Sequence, residues 1–331
     1  MPMNDLTEHR IKNGNHSSSI LKYLRSALGL AIVVYLAWYL ARKWPMIAGH
    51  WRFGVVEAIE LNLLFFLETL PLVRVTQLIF QCCETKPSFL DLLFLHHFGI
   101  MLNYAPMKAG TFFRAAYLRR HYGLSYTLFW AFFLYLSLLM VATSTGLGLA
   151  VLLSVYGLRE PGSQILAGAL FAACAVSWIL LLSPIRQPRS DAAWASLTRQ
   201  FLSGRQTMMS QKRKSAVMVM YLALSFTTSA VRLMLIYDKL QLSVNPAAFL
   251  VLGGVAYLMT FLSLTPGSLG IRELLLGVTG SLLGVPQELA ILAAMVDRAV
   301  IISYAFVLGG LSALWIWRRD ASLSRPPDKT H

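Results

Sequence analysis

Ala105-Pro-Met-Lys-Ala-Gly-Thr-Phe-Phe-Arg114 and Thr265-Pro-Gly-Ser-Leu-Gly-Ile-Arg-Glu273 each set a proline and a glycine four residues apart and follow them with charge, inside an otherwise apolar chain. Pro106 and Gly110 correspond to Pro266 and Gly270, with Thr265 and Gly267 completing the second motif. Each motif ends one apolar segment and opens a second with helical character. A backbone broken at membrane depth leaves N–H and C=O groups unpaired, so such breaks sit within protein or line a polar cavity. Paired interruptions in two halves of a transporter-like chain point to a binding site.

The rest of the chain explains why membrane depth is the relevant frame. Of 331 residues, 56% are hydrophobic and 13% charged, against roughly 25% charged in a soluble domain. Windows of about 20 apolar residues, the length of a spanning helix, fall near 24–41, 53–70, 88–104, 124–157, 163–183, 216–237, 247–264 and 289–317. The stretch 124–157 reads as one tilted helix or two short ones with Thr143-Ser-Thr-Gly146 as the break, and Ile271 to Val285 is short enough for a half-helix. The expected fold is an all-α polytopic membrane protein with about eight transmembrane helices, two broken or re-entrant elements and an inverted repeat. Residues 1–23 and 318–331 are tails around a transmembrane domain at 24–317.

The net charge of +14 does not imply nucleic acid, because the basic residues lie in connections and tails, where the positive-inside rule places them. The loop 184–215 holds Arg186, Arg189, Arg199, Arg205, Lys212, Arg213 and Lys214 against Asp191, which assigns it to the cytoplasm; both basic tails go to the same side. Trp194, Leu197 and Phe201 recur there at helical spacing, the pattern of a surface helix on an anionic leaflet, with a solvated linker as the alternative. The expected location is a plasma (inner) membrane. Three cysteines, two of them adjacent, give neither a disulfide framework nor zinc spacing.

Catalytic signatures are missing. No Walker loop and no His-Glu-x-x-His occur, and the adjacent His96 and His97 diverge by about 100° on a helix and cannot share one metal. No cofactor or metal is expected, and catalysis is not the default. Glu57 and Glu60 share a helix face and read as interfacial, Glu68 is open, and Arg232 and Asp238 read as anchors near a span end.

What remains is charge around the breaks. Asn103 and Lys108 lie at the first, with Arg114 one turn beyond Gly110, where free N–H groups and a positive helix end make a phosphate cradle and Arg114 adds a bidentate donor. Arg114 as a topology anchor is the alternative, and Arg119 and Arg120 read as anchors. The second break offers Arg272 and Glu273, followed by Asp297 and Arg298. Opposite charges within spans pair or face a polar pathway, so Glu273 is expected to meet Arg298 or Arg114. Arg272 and Arg298 are then headgroup ligands, and Glu273 and Asp297 gating or counter-charges.

Asn103-Tyr-Ala-Pro106-Met-Lys-Ala-Gly110-Thr-Phe-Phe-Arg114 and Thr265-Pro-Gly-Ser-Leu-Gly270-Ile-Arg-Glu273 resemble the two signatures of the transmembrane, flippase-like part of the lysylphosphatidylglycerol synthase family. The later Gly284-Val-Pro and Asp297-Arg298 are similar to it as well. The likeness runs from about Ala27 to Trp317, with Thr111 and Ser268 as departures. Only a short tail follows Trp317, so the aminoacyl transfer carried by the family's soluble domain is not expected. The resemblance implies binding and translocation of an anionic lipid, either an aminoacyl-phospholipid or a polyprenyl-phosphate-linked sugar. The alternatives are a non-catalytic subunit that docks a glycosyltransferase or lipid synthase, and an integral glycosyltransferase using Glu57 or Glu60. A membrane lipid is the expected partner, a homo-oligomer is open, and nucleic acid is not expected.

Overall fold

The computed structural model describes residues 52–81, 85–104, 108–182, 211–262 and 270–323, with isolated positions at 38, 41, 42, 45, 48, 198, 199 and 202. Among these, every regular element is helical. The order is α1 (Val55–Gln81), α2 (Phe89–Leu102), α3 (Ala109–Tyr122), α4 (Tyr126–Val151, continued by a π turn Leu152–Tyr156), α5 (Pro161–Leu182), α6 (Lys212–Lys239), α7 (Ala248–Leu262), α8 (Ile271–Leu282) and α9 (Gln287–Leu323). Five of them, α1, α4, α5, α6 and α9, are long and apolar enough to cross a bilayer. The window 24–41 apart from residues 38 and 41, the surface pattern at Trp194, Leu197 and Phe201, and Pro106, Thr265, Pro266 and Gly267 lie outside the described residues.

The stretch 124–157 resolves to one helix. Its polar run does not break it, because Ser144 and Thr145 donate their hydroxyls to the Val141 carbonyl of the same helix, at 3.3 and 2.6 Å, a bond that satisfies the side chain without opening the backbone ladder. Ser125 starts the helix by accepting the Leu128 N–H at 3.2 Å, as a helix-capping serine does.

The windows 88–104 and 247–264 yield α2 and α7, of 14 and 15 residues. At 1.5 Å per residue each is about 21–22 Å long, short of the roughly 30 Å hydrocarbon core. Each is instead the first arm of a helical hairpin. α2 and α3 run antiparallel: Tyr122, at the end of α3, donates to Asp91, at the start of α2, while Gly110 lies against the Gly99 backbone near the tip. A methyl group on Gly110 would overlap the Gly99 carbonyl and come 2.7 Å from Asn103 Oδ1, so only glycine permits this approach. α7 and α8 also pack side by side.

One order of elements therefore occurs twice, a long helix, a hairpin and a long helix: α1, α2–α3, α4, and then α6, α7–α8, α9, with α5 between. The contacts follow the same scheme, since α1 packs on α6, α2 on α9, and α7 on α4. Between α4 and α7 the backbones approach closely; a methyl group on Gly148 would meet the Leu250 carbonyl at 3.1 Å, and one on Gly254 the Ser144 carbonyl at 3.2 Å. Small residues give such contacts in lipid, where helix association depends on packing.

Candidate functional site

The second hairpin supplies the start of the site. Gly270, with φ of 83°, turns the chain into α8 in a conformation that costs glycine little. Its N–H donates to Glu273 Oε2 at 2.7 Å, so the carboxylate covers one of the unpaired donors of the helix start. The other oxygen of Glu273 accepts Arg298 Nε at 2.6 Å. Of the two partners considered for Glu273, Arg298 is the one it touches.

Arg272, one residue earlier, points elsewhere and reaches Asp297 Oδ2 through Nη2 at 2.7 Å. Asp297, which has no exposed surface, is shared with Arg232 of α6. Arg232 then contacts Glu68 of α1 at 3.1 Å, and its guanidinium lies 4.9 Å from the centre of the Phe65 ring. Glu68 Oε1 accepts the Tyr257 hydroxyl of α7 at 3.0 Å. Three arginines and three carboxylates from α1, α6, α8 and α9 thus form two linked groups with formal charges that cancel. Six charges in a low-dielectric interior are tolerable only when paired.

Arg232 corrects the expectation of an anchor near a span end: it is 1% exposed, because carboxylates from two other helices meet it inside the bundle. An arginine within an apolar 28-residue helix is itself a signal of a polar interior. Glu68, left open by sequence, is buried beside it. It lies three residues before Pro71, and in that turn its carbonyl accepts the Ser225 hydroxyl of α6 at 2.8 Å. Pro71 frees the carbonyl of Leu67 four residues before it, and the Ser225 bond falls on the next carbonyl of the same turn.

The first hairpin meets this network at its tip. Tyr104 lies near the Arg298 side chain, and its ring lies 6.0 Å from that of Phe306 on α9. The tips of the two hairpins therefore come together at Tyr104, Arg298 and Glu273. Asn103 and Arg114 stay within the first hairpin. Asn103 Oδ1 is buried without a hydrogen-bond partner, as is Arg114 Nε, while Arg114 Nη2 donates to the His96 carbonyl at 3.4 Å. Lys108 is exposed and takes a left-handed backbone, φ 53°, just before α3. Among the expected ligands, Arg272 and Arg298 thus join Glu273 and Asp297 in one network, and Asn103, Lys108 and Arg114 do not contact it in the described structure.

Beyond the ion pairs, two guanidinium nitrogens of the network have no hydrogen-bond partner in the described structure, Arg232 Nε and Arg272 Nη1, and the second lies at a helix start. Arg272 is 6% exposed, and its Nη1 has no hydrogen-bond partner. An unsatisfied buried donor on a charged group costs more than a neutral one, and it sits where α8 begins. A nearby node of Thr69, His97 and Tyr304, with Tyr304 and His97 2.8 Å apart and Thr69 and His97 3.3 Å apart, ties α1, α2 and α9 together. Glu57 holds Lys239 at 3.2 Å and Glu60 is exposed, so neither carboxylate considered for glycosyl transfer lies in the network.

In comparison with known proteins, the family model described as the lysylphosphatidylglycerol synthase TM region fits residues 26–310. No curated protein and no solved structure matches.

Proposed function

The chain belongs to the lysylphosphatidylglycerol synthase TM region family, a multi-pass membrane family of lipid synthesis or transport, and on that premise we propose that it binds an anionic lipid where its two hairpins meet and passes the headgroup across the membrane. The observation that carries this reading is Arg272: a buried guanidinium with one unpaired nitrogen at a helix start, the donor set that a phosphate takes. Asp297 and Glu273 act as internal counter-charges. An arriving phosphate competes with Asp297 for Arg272, while Arg232 retains Asp297, so neither charge is stranded during the exchange.

The path of the chain supports hairpins that enter from opposite faces. If α1, α4 and α5 each cross once and the first hairpin returns to its own side, three crossings precede α6. α6 then runs opposite to α1, which makes the second set of elements an inverted copy of the first, as in many transporters. With the window 24–41 taken as one further crossing, this path assigns 17 of the 29 lysines and arginines to the side holding both tails, the first hairpin's base and the loop 184–215, and only Arg42, Lys43, Arg52, Arg159 and Lys239 to the other. That bias makes the first side cytoplasmic.

The test is headgroup accessibility of labelled aminoacyl-phospholipid and of a polyprenyl-phosphate-linked sugar in proteoliposomes. The expected result is accelerated exchange of at least one of them, reduced about tenfold or more in Arg272→Gln with folding intact. Exchange equal to that of empty liposomes for both lipids overturns the reading.

A further inference from the structure

A second lipid contact lies away from the charge network. α4, α5 and α6 leave between them a cavity of about 230 Å³, walled by Tyr135 and Leu139, Trp178 and Leu181, and Ala216 and Val219. Apart from hydroxyls at its edge, such as that of Ser215, the wall is apolar. A dry apolar cavity of about 150 Å³ already accepts a benzene-sized guest, so this one has room for a segment of acyl chain. From Ala216 to Arg232, α6 rises about 24 Å at 1.5 Å per residue, which separates the cavity from the network by most of a bilayer core.

The surroundings of the cavity have a sign. Its wall includes Ser215 and Ala216 at the start of α6, which Lys212, Arg213 and Lys214 directly precede. Residues three and four apart share a helix face, so exposed Lys212 lies one turn above Ser215 and Ala216. α5 ends at Leu182 on the same side, and the segment from there to α6 contains Arg186, Arg189, Arg199 and Arg205. Apolar space beneath basic side chains matches one occupant chemically, a lipid with an acyl tail and an anionic headgroup. We propose that an anionic phospholipid of the leaflet facing the basic loop binds here, with one acyl chain in the cavity and its phosphate on Lys212 and Arg213. The site is independent of the translocation pathway, and its lipid is a resident ligand rather than cargo.

Trp178 reports on the cavity directly. Full-length protein is reconstituted with phospholipids brominated on the acyl chain, either anionic phosphatidylglycerol or neutral phosphatidylcholine at equal mole fraction. The Trp178 signal is taken as wild type minus Trp178→Phe, and bromine quenches it on contact. The expected result is stronger association of the anionic lipid, on the order of fivefold for each basic residue engaged. In Lys212→Gln/Arg213→Gln the two lipids should quench alike, and in Ala216→Phe, which fills the cavity, quenching by both should fall at least twofold. Equal quenching by the two lipids in wild type overturns the anionic site, and undiminished quenching in Ala216→Phe overturns the place of the chain. Circular dichroism and lipid exchange, expected to match wild type in the Lys212/Arg213 variant, separate loss of this site from misfolding and from loss of transport.

Discussion

Removing the Arg232 guanidinium tests whether the network is a preorganised unit. In Arg232→Met, Asp297 keeps Arg272, but Glu68 is left beside the Tyr257 hydroxyl without a cation in the described structure. At the observed 3.1 Å and an effective dielectric of 20, the lost attraction is about 5 kcal/mol. Breaking a buried pair from one side typically costs about 3–5 kcal/mol, which corresponds to a fall in Tm of roughly 4–7 °C for a chain of this size. Adding Glu68→Gln removes the stranded charge and should recover most of that loss. Scanning fluorimetry of wild type, both single variants and the double variant closes a thermodynamic cycle, with an expected coupling of about 2 kcal/mol or more. Neutral interhelical hydrogen bonds in membrane proteins average about 0.6 kcal/mol. A coupling at or below that level refutes the reasoning, because it means the two groups find equivalent partners when separated.

Three further outcomes follow from particular contacts. Gly110→Ala should lower stability by about 1–3 kcal/mol, since the added methyl meets the Gly99 backbone rather than a movable side chain; thermal unfolding measures it, and an unchanged Tm contradicts the close hairpin. Exchanging charge in Glu273→Arg/Arg298→Glu should rescue lipid exchange only in part relative to either single variant. A carboxylate on α9 restores the ion pair but not the cap on the Gly270 N–H, so complete rescue contradicts a capping role. Glu57→Gln should shift Tm by less than about 2 °C, because its partner Lys239 is about a third exposed and such pairs contribute about 1 kcal/mol or less.

The amino-acid sequence by itself determined that this chain is helical and crosses a membrane, and that its backbone breaks twice. Those properties are local: apolar length sets a span, and proline with glycine interrupts it wherever the segment packs. Sequence also singled out Arg272, Glu273, Asp297 and Arg298, because charge within apolar runs is conspicuous. It offered two partners for Glu273 and could not choose, since adjacent residues on one helix point in different directions and a partner on another helix is fixed only by packing. The tertiary structure decided that Arg298 takes Glu273, that Asp297 takes Arg272 and Arg232, and that Glu68 belongs to the same network. It also separated Arg114 and Lys108 from that network, although their motif resembles the other. Ion pairing across 25 to 164 residues of sequence depends on which helices lie side by side, and in this chain that follows from glycine contacts and hairpin geometry distributed over the whole bundle.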